Sequence, residues 1–355
     1  MGEWRRVWRF FGRLDLAAGL IFVVLALAGV GSLFPQLSDS VVADPVRFSS
    51  WAEGVRARYG RLADLLAVGG AFRYASSGIF VASVALLAAV TLVCTLNRWR
   101  GVWRRAFRQT AGWPADAPHV AVLELPPAPG RVDAARESLE RRGFRVQTKD
   151  DGRVPELWGD RNRPASLATL VTHLAVLLLL LGVALNAGWG WREEIVVEPG
   201  GTVPVGHVDG LALQNTGFAI IRYPDGSAAN YEALVTVLER ERVQLRGKVR
   251  VNEPLAYNAI RFYLRGYAET GSAHTITLLA ARDPGYGLVA AAGLLLLLGL
   301  TVSFNWPHCR VHVRVEPGGV LRLAGRAGRR AWDFGREFEA LVEEFEGDGA
   351  VTIAR

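Results

Sequence analysis

A chain of 355 residues, half of them hydrophobic yet carrying 41 basic and 34 acidic side chains, is too apolar for an ordinary soluble enzyme and too charged to lie wholly in lipid. Its net charge of +7 does not point to nucleic acid, because the basic residues stand beside apolar runs rather than in a patch interleaved with aromatics. Two cysteines, Cys94 and Cys309, with no CxxC pair, exclude thiol exchange and cysteine-rich metal sites.

Residues 1–13 set Arg5, Arg6, Arg9 and Arg13 among Trp4, Trp8 and Phe10, the pattern of a basic amphipathic leader at an interface. A first membrane span is expected over 14–34. It is longer than a signal-peptide core and ends in Ser-Leu-Phe-Pro-Gln, a poor cleavage site, so it reads as uncleaved. Residues 35–76 are too charged to cross and are partly helical. The second span, 77–97, closes on Arg98, Arg100, Arg104 and Arg105 with Trp99 and Trp103, a basic and aromatic collar. Residues 98–166 then read as a small α+β segment. Strands are expected from His119 to Leu125, Gly143 to Thr148 and Val154 to Trp158, with a helix from Arg131 to Arg142.

The third span is 167–186, LATLVTHLAVLLLLLGVALN, without a single Asp, Glu, Lys or Arg. Twenty helical residues rise about 30 Å, the thickness of a bilayer's hydrocarbon core, and a run that is apolar all round is a spanning helix. Residues 187–285 alternate in short runs (EEIVVEP, GLALQN, FAIIRY, EALVTVL, VQLRGKVRV, AIRFYLRGYAE, HTITLLAAR) parted by Pro-Gly-Gly, Pro-Asp-Gly and Asn-Glu-Pro, which predicts an antiparallel β domain. Phe262, Tyr263 and Tyr267 are expected to pack inside it. A fourth span covers 286–306. The tail, 307–355, holds two strands (VHVRVEP, VLRLAG) and an amphipathic helix, FGREFEALVEEFE, expected to complete one α+β layer with residues 98–166.

Orientation follows from Lys and Arg near the spans. Residues 1–13 carry four and 98–108 carry five; Arg153, Arg161 and Arg163 precede the third span, and Arg310 and Arg314 follow the fourth. Arg47, Arg73, Arg192 and Arg282 are thinly spread on the other side. The positive-inside rule places both termini and residues 98–166 in the cytoplasm. The expected fold is a membrane protein with four transmembrane α-helices, an extracytoplasmic antiparallel β-rich domain and a small cytoplasmic α+β part.

No nucleophile elbow, Walker loop, HExxH or strand-led GxGxxG is present. The adjacent Glu193 and Glu194 read as a solvated strand edge, and His119, His308 and His312 as surface or boundary residues. His207, in a loop, and His274, at a strand start, are either inert or ligands to a metal or haem iron. His173 lies roughly two turns into the third span, where an ionisable group is costly. Either it bonds a neighbouring helix for packing alone, or it offers a neutral imidazole to iron within lipid.

The series of stretches is similar to that of the ResB (CcsB) family of system II cytochrome c biogenesis. It comprises GVGSLFPQ closing the first span, TLVCTLNRW closing the second, and GFRVQTKDDG before THLAVLLLLLG. VRVNEPLAYNAIRFYLRGY and ARDPGYGLV precede the fourth span, and FEALVEEF ends the tail. The resemblance implies a subunit of the inner cell membrane that acts with a CcsA-like partner, whose tryptophan-rich loop handles haem. Together they deliver haem b outward and join it to the CxxCH thiols of apocytochrome c. It implies that His173 is an axial haem ligand and that His207 or His274 matches an outer histidine. Arg161 and Arg163 either pair with haem propionates or only anchor topology. Haem, apocytochrome c, the CcsA-like protein and lipid are the implied partners, and nucleic acid is not among them. The chain lacks the tryptophan-rich loop, so it is expected to be a non-catalytic or co-catalytic subunit of a holocytochrome c synthase. The thiols that attack haem would come from the apocytochrome, so no protein nucleophile is required. Two other classes stay open: a membrane-anchored scaffold that recruits apocytochrome or stabilises CcsA without haem, and an accessory subunit of a transporter or respiratory complex.

Overall fold

A computed structural model of the chain describes residues 2–37, 39–42, 44–107, 113–114, 116–124, 130–149, 154–271, 273–316, 318–328, 331, 333–347 and 351–352. Arg108, Leu125, residues 150–153 and Pro317, which carry sequence expectations, lie outside the described residues.

In chain order, α1 (Gly2–Phe11), α2 (Leu14–Ser32), the short α3 (Asp39–Val42), α4 (Pro45–Tyr59) and α5 (Leu62–Val68) precede the long α6 (Gly78–Phe107). Next come β1 (His119–Glu124), α7 (Arg131–Arg141), β2 (Arg145–Lys149), β3 (Glu156–Arg161) and α8 (Ala168–Trp189). A run of strands follows: β4 (Trp191–Val197), β5 (Thr202–Pro204), β6 (Leu211–Arg222), β7 (Ala228–Glu239), β8 (Arg242–Arg250), β9 (Leu255–Tyr257), β10 (Ile260–Thr270) and β11 (Ala273–Arg282). The order ends with α9 (Tyr286–Asn305), β12 (Cys309–Val315), β13 (Val320–Ala327), α10 (Phe334–Gly347) and β14 (Val351–Thr352).

The helices α2, α6, α8 and α9 are long and apolar enough to cross a membrane, and the chain is a membrane protein. Two of them outrun the expected spans. α6 continues through the basic collar to Phe107 instead of ending at Asn97, so residues 98–107 belong to the helix and not to the α+β segment. Its extension is half Arg and Ala, good helix formers, and carries an aromatic ladder at four-residue spacing, with Trp99 stacked on Trp103 at 5.2 Å and Trp103 against Phe107 at 4.6 Å. α8 runs on to Trp189, and the amide of Gly190 closes it on the Asn186 carbonyl at 2.9 Å.

The chain forms two compact units. The first comprises residues 1–14, 90–177 and 292–355. Its six-stranded antiparallel sheet has the order β14-β1-β13-β12-β3-β2, so the tail hairpin β12–β13 sits between strands from the middle of the chain. The expected union of residues 98–166 with the tail is this sheet. Its apolar face buries Leu123, Leu157, Val313 and Leu323 against Leu139 of α7 and against Phe334, Phe338, Leu341 and Phe345 of α10. The α10 spacing of four, three and four residues presents one stripe to the sheet. On the opposite face, register pairs Arg310 with Asp160, His312 with Trp158 and Arg314 with Glu156.

The second unit comprises residues 15–89 and 178–291. Two four-stranded antiparallel sheets, β4-β11-β10-β9 and β5-β6-β7-β8, share one core that includes Ile195, Leu213, Val235, Phe262, Ile276 and Leu278. The runs GLALQN and FAIIRY, expected as two strands, are one strand, β6, with a bulge between Asn215 and Gly217. The buried Asn215 side chain donates to the carbonyls of Val197 (3.2 Å) and His274 (2.9 Å) and so ties the two sheets. Phe262 is fully buried as expected, whereas Tyr267 stays 38% exposed, stacked on Phe218 at 4.7 Å. The helical segment α4–α5 has its own small core of Val55, Ala63 and Phe72. In the same unit α8 meets α9 across glycines: the Gly285 amide donates to Asn186 Oδ1 at 2.6 Å, and a Cβ on Gly182 would lie 2.7 Å from Val289 Cγ2.

Candidate functional site around the intramembrane histidine

α8 has few polar side chains along its length, because a lipid-spanning helix gains nothing from them. His173 is half-buried, and its Nδ1 lies 3.1 Å from Thr95 Oγ1 on α6. The Thr95 hydroxyl also donates back to the Thr91 carbonyl one turn earlier, at 2.7 Å. Among the described residues His173 Nε2 has no hydrogen-bond partner. Next to it, Thr172 packs against Gly299 of α9, where an added Cβ would come within 2.7 Å of Thr172 Cγ2. The collar end of α6 is also seated: Trp8 Nε1 donates to Asn97 Oδ1 at 2.6 Å and Cys94 Sγ lies 3.8 Å from the Phe11 carbonyl oxygen, so α1 lies against α6. The imidazole is thus held from one side at Nδ1 in apolar surroundings, with the other ring nitrogen unbonded. That donor chemistry fits an axial ligand to haem iron.

The two arginines of the third span's approach are differently placed. Arg161 makes a double bond-pair with Glu337 at 2.6 and 2.7 Å, donates to the Arg142 carbonyl at 3.1 Å and lies over the Phe144 ring. The Glu337 hydrogen bond holds its guanidinium firmly protonated, above its ordinary value. Arg163 is only 13% exposed, with Nε 3.4 Å from the Arg105 carbonyl and 3.8 Å from Asp160 Oδ2, and its buried Nη2 has no hydrogen-bond partner among the described residues. Neither arginine makes a hydrogen bond or ion pair with His173.

Asp160 is the centre of that region. Its side chain is fully buried, and it accepts from His308 Nε2 at 2.8 Å and from Arg310 Nε and Nη2 at 2.7 and 2.9 Å. Burial pushes its carboxyl up, but the hydrogen bonds from His308 and Arg310 more than offset this and hold it lowered to about 2. His312, two residues on, is buried rather than on the surface, and burial, with Arg310 adding repulsion, pushes it down to about 4. The reading of His312 as a surface or boundary residue is therefore corrected, while His308 is half-buried. Arg310 and Arg314, on the same face of β12, are half-buried in ion pairs with Asp160 and Glu156.

His207 and His274 belong to the β-rich unit. His207 Nδ1 lies 3.1 Å from Glu193 Oε2, and its ring stacks on Trp191 at 4.6 Å with 7° between planes. Glu193 also accepts from the Gly206 amide with both oxygens, at 3.0 and 2.9 Å, while Glu194 faces Arg47 at 3.6 Å. Glu193 thus has partners and departs from the solvated edge expected, whereas Glu194 is exposed on the edge strand as expected. His274 packs its ring beside Phe218 (5.0 Å) and Tyr267 (5.7 Å). Sequence reasoning missed Thr95 and Asp160, and took Glu193 for a solvated edge. Only Glu193, adjacent to a second acid at a strand start, carried any local signal.

Comparison with known proteins agrees with this architecture. The sequence model of the ResB-like family matches residues 14–281 and 269–339. The cytochrome c biogenesis protein CcsB of Prochlorococcus marinus (strain MIT 9303) is 26% identical over 295 residues, covering 79% of this chain and 64% of that protein. The CcsB of strain MIT 9313 is 27% identical over 301 residues, covering 80% of this chain and 65% of that protein. The chloroplastic cytochrome c biogenesis protein CCS1 of Chlamydomonas reinhardtii is 26% identical over 305 residues, 79% of this chain and 47% of its own. The chain therefore spans less than two thirds of the length of these relatives. Nearly the whole of the described fold, from the first apolar helix to α10, lies inside the family match, and the chain belongs to the ResB-like family.

Proposed function

We propose that this chain is a haem-handling membrane subunit of cytochrome c maturation, with His173 as an axial ligand to haem b in transit. The observation that carries the reading is the His173 imidazole, held at Nδ1 by Thr95 and unbonded at Nε2, inside an apolar helix of a ResB-like chain. Family membership supports the process, since the relatives above are named cytochrome c biogenesis proteins. The positive-inside distribution supports both termini and the six-stranded sheet lying in the cytoplasm, with residues 187–285 on the outer side of the inner membrane. Haem is cargo here: a CcsA-like membrane protein would complete its path, and apocytochrome c would receive it. The chain's own part is ligation, orientation and exclusion of competing reactions.

Of the arginines, Arg163 is the better propionate partner, because its Nη2 has no partner among the described residues whereas a propionate at Arg161 would have to displace Glu337. Of the outer histidines, His207 is the better candidate ligand. Glu193 occupies its Nδ1, and the ring is 48% exposed, whereas the His274 ring is packed among aromatics.

The test is the visible spectrum of the protein purified in detergent with its partner, as wild type, His173→Ala and His173→Gly with added imidazole. A Soret band lost in the alanine variant, with cytochrome c assembly restored by imidazole in the glycine variant, is the expected result. An unchanged band and normal assembly in both variants would leave His173 as a packing residue and the chain as a scaffold that binds no haem.

A further inference from the structure

We infer that Thr95 is a positioning residue that holds His173 in its Nδ1–H tautomer and so presents Nε2 as the iron-binding nitrogen. The inference rests on the reading of His173 as a haem ligand. Its geometric basis is a proton count. A threonine hydroxyl has one proton and two lone pairs. Thr95 Oγ1 is within 2.7 Å of the Thr91 carbonyl, which can only accept, so the single hydroxyl proton is committed there. What remains for His173 Nδ1, at 3.1 Å, is a lone pair, and the contact is a hydrogen bond only if Nδ1 carries the proton. A neutral imidazole has one N–H, so Nε2 is then bare. This is the arrangement in which a metal-bound histidine is held from behind by an acceptor that fixes both tautomer and ring orientation.

The same chain of bonds explains why a threonine serves here. Its hydroxyl returns its proton to its own helix, so the pair places no charge in the membrane, and α6 presents a fixed acceptor to α8. Leu174, the next residue of α8, is 50% exposed while Ala175 is fully buried, so only one side of this turn is in contact with the rest of the unit.

The experiment uses the full chain, purified in detergent, as wild type, Thr95→Val, Thr95→Ser and His173→Ala. In haem-free protein with ¹⁵N-labelled histidine, the resonances lost in His173→Ala identify the ring. Wild type and Thr95→Ser are expected to show a proton-bearing Nδ1 and a bare Nε2, and Thr95→Val a shift of the proton toward Nε2. In haem titrations Thr95→Val is expected to weaken binding by about 10- to 100-fold, the usual effect of removing a ligand's outer partner, with Thr95→Ser restoring it. Thermal unfolding of Thr95→Val close to wild type separates this from misfolding, since valine matches threonine in shape. A bare Nδ1 in wild type, or Thr95→Val with unchanged tautomer and haem affinity while His173→Ala loses haem, would overturn the role of Thr95 and leave the ligand reading standing. Haem retained by His173→Ala would overturn the ligand reading, and with it the place of Thr95 behind a ligand.

Discussion

Replacing Asp160 by asparagine keeps the side chain's shape and removes the one carboxylate that His308, Arg310 and Arg163 surround. The magnitude can be worked two ways. Holding a carboxyl near 2 instead of at its usual 3.8 favours the ionised form by about 2 kcal/mol. Because the folded value is the lower one, that stabilisation is complete above about pH 5 and disappears only as the pH falls through 2, so a neutral assay sees all of it. Removing the charge also takes the carboxylate from Arg310, which is hydrogen-bonded to it at 2.7 and 2.9 Å, and breaking a buried ion pair costs about 3–5 kcal/mol. A loss near 3 kcal/mol lowers a melting temperature by on the order of 10 °C in a unit of this size. Cys309 is a built-in reporter, because it is buried on β12 and its register partner is Arg161, the neighbour of Asp160. Burial raises its thiol, so it is inert to maleimide until the sheet opens. In a Cys94→Ala background, temperature-dependent labelling of Cys309 should shift down by about that amount in Asp160→Asn. A midpoint within about 2 °C of the background protein, worth less than 1 kcal/mol, would refute the idea that Asp160 holds this face together.

Two further outcomes follow from the same structure. His312 is pushed down to about 4, so between pH 6.5 and 4 the unfolded chain takes up a proton that the folded one refuses; stability therefore falls on acidification, by up to about 3 kcal/mol. Thermal midpoints by circular dichroism at pH 7 and 4.5 should separate more widely for wild type than for His312→Leu, and equal separations would rule the mechanism out. In the β-rich unit, Gly182→Ala puts a methyl 2.7 Å from Val289 Cγ2 and 3.1 Å from the Gly285 carbonyl oxygen, forcing α8 and α9 apart at about 1–3 kcal/mol. Gly19→Ala, with nothing within 4 Å of the added carbon, should be neutral or stabilising, and equal midpoints for the two variants would contradict the close approach.

How far the fold was legible depends on the range of the forces involved. The four apolar helices were readable because lipid demands long uninterrupted runs, and the β-rich unit because alternation and turn residues are local. β6 was read as two strands because Asn215 and Gly217 look like a turn, and only the cross-sheet bonds of Asn215 show that they are a bulge within one strand. Arg310, His312 and Arg314 alternate with Cys309, Val311 and Val313, the signature of a strand with one wet face. The partner carboxylates, Glu156 and Asp160, stand on a strand separated from β12 by two spanning helices and the eight strands between them, and nothing near β12 announces them. Thr95 was unreadable for a different reason: Thr and Ser are ordinary in spanning helices, where they bond back to their own turn.

That last point bears on the choice posed by His173. From the sequence, a histidine bonded to a neighbouring helix and a histidine that binds iron were rival readings. The bond to Thr95 makes them compatible, because an imidazole has two nitrogens and the helix contact uses only one. A packing histidine gains most when both nitrogens are satisfied, since an unpaired polar group in an apolar medium is expensive. Among the described residues His173 is satisfied at Nδ1 alone. If packing were its whole purpose, Nε2 would be a standing cost on a helix otherwise built to avoid such costs, and replacement by leucine would stabilise the fold. If Nε2 awaits a ligand, that cost is the origin of its affinity, and removing the ring would cost the protein its haem and spare its fold. Thermal midpoints of wild type and His173→Leu with and without added haem read the difference independently of any spectrum: haem raises the wild-type midpoint alone if Nε2 is a ligand, and treats the two proteins alike if it is not.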